Sequence, residues 1–156
     1  MAYNADLATA TSMAPQLGTL SGTTTPTSTQ ATVIWERAYN EVRMAFLEAG
    51  LSDSPTASSR ADEVAEHAEM LLTSGLVLLA KGSIGKDGKA TADELIRLAR
   101  DILSKLWEKR DYLLSNGASA SLSGASIFAK SFWTEDRDPD FDYEPGTGDR
   151  EYAQPP

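Results

Sequence analysis

Between Pro26 and Gly117 the apolar residues recur at steps of three and four, the period of an α-helix, in three runs separated by glycine, proline and serine. The first run is announced by Pro26 and by Thr27 with Gln30. This is a capping box: the threonine hydroxyl accepts from the third backbone N–H and the glutamine side chain accepts from the N–H of the cap. Ile34, Ala38, Val42, Ala45 and Ala49 form its stripe, Trp35, Tyr39 and Phe46 widen it, and Gly50 ends it. Arg37 and Glu41, four residues apart, are expected to pair on the outer face. The second run starts near Ser54-Pro55 or near Ser58-Ser59 and reaches about Ala80. Its first half sets Ala61, Val64, Ala65 and Ala68 against Asp62, Glu63, Glu66 and Glu69. Its second half, Leu71 to Leu79, is apolar nearly all round, which predicts burial on several sides. The third run opens on Thr91-Ala92-Asp93-Glu94, a second capping box, and stops at Asn116-Gly117. Leu95, Ala99, Ile102, Leu106 and Leu113 make its inner stripe, flanked by Leu98, Leu103 and Trp107, while Asp93, Arg97, Asp101 and Lys105 alternate in sign along the outside.

These runs predict an all-α fold: a small bundle of three main helices (residues 30–117) with an extended N-terminal arm (1–29) and an extended C-terminal tail (118–156). Residues 7–29 hold no charged side chain and are dominated by Thr, Ser, Ala and Gly. A freely solvated linker usually carries more charge, so the arm is expected to lie against another surface, with strand geometry open around the threonines. Residues 118–125, rich in Ser, Ala and Gly, read as a flexible joint leading to the tail.

Charge changes the picture of the ends more than of the middle. The 156 residues carry a net charge of −9, of which −6 falls in residues 134–156. No basic patch dominates, which argues against wrapping nucleic acid, whose phosphates demand clustered Lys and Arg. The chain has no cysteine, which removes disulfides, thiolate chemistry and Cys-based zinc sites. No basic stretch followed by a long apolar run opens it, and the longest apolar stretch, Leu71 to Ala80, is interrupted by Thr73, Ser74 and Gly75 at about half the length of a membrane span. The expectation is a soluble protein made in the cytoplasm, with no membrane partner.

Candidate chemistry is thin. His67, the single histidine, follows Glu63 by one turn, but the di-iron signature of helical bundles needs Glu three residues before His, and Val64 stands there. It reads as a surface or interface histidine. The stretch Gly82 to Lys89 lacks the glycine and the Ser or Thr of a phosphate loop, Ser83 and Ala90 standing in their places. Laid out as a calcium loop from Ser83 to Glu94 it keeps Asp87, Gly88 and Glu94 but loses the first two carboxylates to Ser83 and Gly85. It therefore reads as a glycine-rich helix connection. The expectation is no enzymatic activity, no cofactor and no metal.

The tail is the richest segment. From Ser131 to Pro156 it reads SFWTEDRDPDFDYEPGTGDREYAQPP, with prolines that break helices and a composition close to that of disordered chains. Its aromatic residues, however, are of the kind favoured at interface cores. Asp136, Asp138, Asp140 and Asp142 alternate, so an extended chain presents carboxylates on one side and Arg137, Pro139, Phe141 and Tyr143 on the other. A solvated acidic tail, a loose cation site and a strand-like docking peptide compete for this pattern. The docking reading leads, with Phe132, Trp133, Asp138, Asp140, Phe141, Asp142, Tyr143 and Tyr152 as its contact residues.

The layout of a Thr/Pro-rich lead (Gly22 to Thr29), a helix carrying Ala38, Glu41, Val42, Ala45, Phe46, Ala49 and Gly50, two further helices and an extended tail resembles the head-tail connector, or adaptor, proteins of tailed bacteriophages. The likeness is one of helical pattern over about residues 20–117 and of architecture in the tail, not of motif. The resemblance implies a structural virion protein in the neck between head and tail, made in the host cytoplasm. It implies a homo-oligomeric ring, twelvefold like the portal above it, whose extended segments reach the portal protein, neighbouring subunits or the next tail or stopper protein. DNA would pass through the lumen without specific binding. In such a ring the acidic face of the second helix (Glu63, Glu66) is expected to meet the basic face of the third (Arg97, Arg100, Lys105) between subunits. The alternative is a cellular helical adaptor or regulator whose acidic tail binds a basic protein partner; a third is a small enzyme or metal protein using His67 and nearby Glu residues.

Overall fold

The computed structural model describes residues 3–82 and 85–121. The chain divides into units Met1–Gly124 and Ala125–Pro156, and all described residues belong to the first. Among them lie five α-helices, one 3-10 turn and no strand: α1 (Leu7–Ala10), the 3-10 turn Pro15–Leu17, α2 (Ser28–Glu48), α3 (Arg60–Ala80), α4 (Gly85–Ser104) and α5 (Arg110–Ser115). The fold is all-α, with α2, α3 and α4 as its three main helices.

The first helix begins where its cap dictates. Gln30 N donates to the Thr27 hydroxyl at 3.3 Å and Thr27 N donates to Gln30 Oε1 at 3.0 Å, closing the capping box. Ala38, Val42 and Phe46 of the expected stripe are fully buried. The expected Arg37–Glu41 pair is replaced by a longer-range one, since Glu41 Oε1 accepts from Arg100 Nε of α4 at 3.1 Å. The second helix uses the later of its two candidate caps: Ser59 Oγ accepts from Asp62 N at 3.2 Å, and Ser58 N donates back to Asp62 Oδ2 at 2.8 Å.

Helix α3 is the centre of the bundle, with α1, α2, α4 and α5 all packed on it. Its second half, expected to be covered on several sides, is buried from Leu71 through Gly75 and again at Val77 and Leu78. Gly75 sets the crossing with α4: a Cβ there would lie 2.7 Å from Ile96 Cγ1 and 2.9 Å from the Ala92 carbonyl oxygen, so the helices approach as closely as only glycine permits. Phe46, Leu51, Leu72, Leu78, Leu106 and Leu113 are the largest buried apolar side chains. Each contributes about 1.5–3 kcal/mol by leaving water.

The third run departs from expectation at both ends. The helix starts at Gly85, not Thr91, and the Thr91 hydroxyl bonds back to the Asp87 carbonyl oxygen at 2.9 Å inside it. Lys86, Lys89 and Ala90 are good helix formers, so one Gly88, costing about 1 kcal/mol, does not stop the helix from extending back through the supposed connection. The run is also broken before its end. Lys105 N and Leu106 N donate three residues back, to Ile102 and Leu103 at 3.2 Å, and the tightened turn separates α4 from α5. Leu106 is turned inward at 2 % exposure while Trp107, expected to flank the stripe, is 53 % exposed.

The arm does not stand apart. Residues 3–20 lie along α3, with Ala14 and Leu17 packed with Ala31, Val77, Leu78 and Ala92. No strand forms around the threonines; Ser21 and Thr24 close a turn through side-chain hydrogen bonds instead.

Candidate functional site

A groove of about 610 Å³ runs between the first half of α3 and the corner where α4 turns into α5. Its floor is apolar, from Val64, Ile102, Leu106 and Leu113; its walls carry Arg60, Glu63 and His67 on one side and Asp101, Lys105 and Lys109 on the other. This is the size at which small ligands or peptide side chains are held. The turn at residues 105–109 makes it, because a straight helix from α4 into α5 would leave no corner.

The charges on the walls are largely spoken for. Arg60 Nη1 lies 2.6 Å from Glu63 Oε2, and the Lys105 ammonium 2.7 Å from Asp101 Oδ2. These pairs are exposed and screened by solvent, so they add little to stability. The hydrogen bond from Lys105 holds the Asp101 carboxyl below its ordinary range, with Lys105, Arg97 and Lys109 adding their charge. Glu66, just outside the groove, is pushed up by burial and by the neighbouring carboxylates Asp62 and Glu63.

Of the residues expected at a subunit interface, Glu63 and Lys105 thus face one another across a groove of a single chain. Arg97 is held bidentately by Glu94, at 2.8 and 2.7 Å, and Arg100 by Glu41. The tail residues Phe132, Trp133, Asp138, Asp140, Phe141, Asp142, Tyr143 and Tyr152 lie outside the described residues.

Sequence reasoning placed Glu69 on the solvated acidic face; in the structure it is fully buried. Its Oε2 accepts from Asn4 N at 2.7 Å and from Asn4 Nδ2 at 2.8 Å, and its Oε1 accepts from Trp35 Nε1 at 2.7 Å. Burial pushes its pKa up, while the hydrogen bonds from Asn4 and Trp35 pull it back. Beside it Tyr3 packs its ring 5.2 Å from that of Tyr39 and donates its hydroxyl to the Asp53 carbonyl oxygen at 3.0 Å, and burial raises its phenol well above the ordinary range. The one sequence signal for this cluster was Trp35 with Glu69 on facing helices, and spacing within one helix does not reveal it.

The last described residues are clamped by backbone. Ala61 N donates to Asn116 O (3.1 Å), Thr56 N to Gly117 O (2.8 Å), Ser52 N to Ser119 O (2.7 Å), and Ser121 N to Gly50 O (3.0 Å). Gly117 has φ +96°, and a Cβ on it would fall 2.2 Å from Ser59 Cβ. The expected flexible joint is therefore pinned up to Ser121.

Compared with family models, curated proteins and solved structures, the chain matches none. Its reading rests on the geometry. Among the described residues no group of three or more His, Asp or Glu is arranged to hold a metal ion, and no helix is long and apolar enough to cross a membrane. The supposed calcium stretch is the first turns of α4 from Gly85 onward, where the backbone carbonyls are engaged within a helix rather than turned inward around an ion.

Proposed function

We propose that this chain is a non-enzymatic assembly protein, a ring-forming connector of the kind that joins the head of a tailed phage to its tail. The observation that carries the reading is the backbone clamp of residues 116–121 against residues 50–61. It fixes the chain up to Ser121 against the helical body, and on this reading the acidic, aromatic sequence that follows is what the adaptor offers to its partners. The partners on this reading are further copies of the chain, the portal protein and the next tail or stopper protein. The net charge of −9 suits a channel that DNA must traverse without adhering, since like charge repels phosphate. Contact of Glu63 and Glu66 with Arg97, Arg100 and Lys105 of a neighbour exchanges exposed intrachain pairs for intersubunit ones, at little net cost.

Mass photometry of the purified chain tests this. Twelve copies of a 16.8 kDa chain give a closed particle of about 200 kDa. Reversing Glu63 and Glu66 to Arg should weaken it. A chain that stays at 16.8 kDa, alone and with portal protein present, overturns the reading.

A further inference from the structure

The groove between α3 and the α4–α5 corner has more positive than negative wall. Three cationic side chains, Arg60, Lys105 and Lys109, stand against two carboxylates, Glu63 and Asp101, and each carboxylate is already engaged by Arg60 or by Lys105. Lys109 is left with no hydrogen-bonded acid among the described residues. This surplus sits in a chain that is otherwise acidic.

The two lysines also stand on one wall of the groove. Lys109 N donates to the Lys105 carbonyl oxygen at 3.1 Å, so they bracket one hydrogen-bonded turn of the corner between α4 and α5. In an extended peptide, side chains at alternate positions project the same way at about 6.8 Å spacing. Two carboxylates two residues apart therefore project from one side of such a segment and can meet the wall that carries Lys105 and Lys109. The side chains between them turn the other way, toward the apolar floor of Val64, Ile102 and Leu106.

We propose that this groove docks an extended acidic segment of a protein partner, with carboxylates at alternate positions on Lys105 and Lys109 and an aromatic or aliphatic side chain on the floor. The proposal rests on the reading of the chain as an assembly protein only for the biological setting of that partner; the binding itself is measured without a ring.

The probe is a fluorescein-labelled peptide of sequence SFWTEDRDPDFDY, that of residues 131–143, which carries this alternation. It is titrated with the full-length chain by anisotropy at about 0.1 M and about 1 M salt, where the Debye length falls from about 10 to about 3 Å. Saturable binding at low salt, weaker at high salt, is expected. Lys105→Glu/Lys109→Glu should weaken it at least about tenfold, and changing the four alternating aspartates of the peptide to asparagine should do the same. Lys109→Glu alone, which breaks no ion pair among the described residues, should weaken it in the same direction with an unchanged circular dichroism spectrum. No saturable binding, or equal affinity for the folded variants, overturns the proposal. If Lys109→Glu, which lies outside the proposed subunit contact, also loses self-association, a second copy supplies the segment; if the ring persists while peptide binding is lost, another protein does. A chain that binds the peptide through the lysines but never assembles keeps this proposal and overturns the connector.

Discussion

From composition residues 3–20 read as part of an arm lying against another surface and residues 118–121 as part of a flexible joint, and the molecule ties the two ends down by opposite means. The N-terminal arm is held by side chains: the Glu69 carboxylate receives Asn4, the Ser74 hydroxyl bonds the Ala10 carbonyl oxygen at 3.2 Å, the Lys81 ammonium bonds the Gln16 carbonyl oxygen at 2.7 Å, and Ala14 and Leu17 are buried. The end of the bundle is held by main chain: four backbone hydrogen bonds tie residues 116–121 to residues 50–61. A tie made of side chains is open to single substitutions and to pH. A tie made of backbone is nearly indifferent to sequence, except where a residue must be glycine for the backbone to adopt its path.

The sharpest way to break the contrast is Glu69→Ala. It removes the shared acceptor of Asn4 and Trp35, leaves buried donors unsatisfied and opens a cavity in α3, so a loss of about 3 kcal/mol in urea unfolding is expected. Amide exchange should rise first in residues 3–20 and leave the 50–61 and 116–121 amides protected. Equal loss at both ends would mean that the two ties are one cooperative unit.

Gly117→Ala probes the other side. Its positive φ and the approach to Ser59 Cβ leave no room for a methyl group, so about 2 kcal/mol should be lost, with exchange rising at Thr56 and Ser119 and not at Asn4. Ser119→Ala, which keeps the backbone and changes only an exposed side chain, should stay within about 0.5 kcal/mol of wild type in the same assay. A large effect of Ser119→Ala would show that side chains matter at this end too.

How much of this was legible follows the same division. Helix α2 was readable to its first residue because Thr27 and Gln30 cap it within four positions, and the buried half of α3 was readable from an apolar run that no solvent-facing helix tolerates. Local signals failed where packing decided. Thr91-Ala92-Asp93-Glu94 has the letters of a cap but sits inside α4, because nothing before it is a strong enough breaker. No glycine or proline marks the turn at residues 105–109, yet that turn forms the groove. Lys105 and Glu63 were legible as charged faces, but their meeting across one groove depends on how α3 and α4 cross, which Gly75 and Ile96 determine. Glu69 was misread because a glutamate among glutamates on a helix looks solvated until a second segment supplies its donors.

The smallest effect is also the one that separates the two ties most cleanly, since only one of them contains a titrating group. Burial raises the Glu69 carboxyl above its ordinary 4.5, so the folded chain holds this proton more tightly than the unfolded chain. Its contribution to stability is then full below pH 4.5 and is lost as pH rises through the raised value. The exposed Glu94 and Asp101, lowered by Arg97 and Lys105, act in the opposite sense, losing their contribution as pH falls, and both remain in a Glu69→Gln variant. The groups facing Glu69 are Asn4 and Trp35, which do not titrate, and Tyr3, whose raised phenol stays protonated throughout. Urea midpoints of wild type and Glu69→Gln should therefore approach one another as pH is raised from 4.5 toward about 7, because only wild type loses stability to this group. The glutamine amide has a single accepting oxygen and cannot accept from both Trp35 and Asn4, so the variant starts lower at acid pH. A gap that widens with pH would mean that the ionised carboxylate, with its three donors, is the form the arm prefers, and would make the tie tighten rather than loosen toward neutrality.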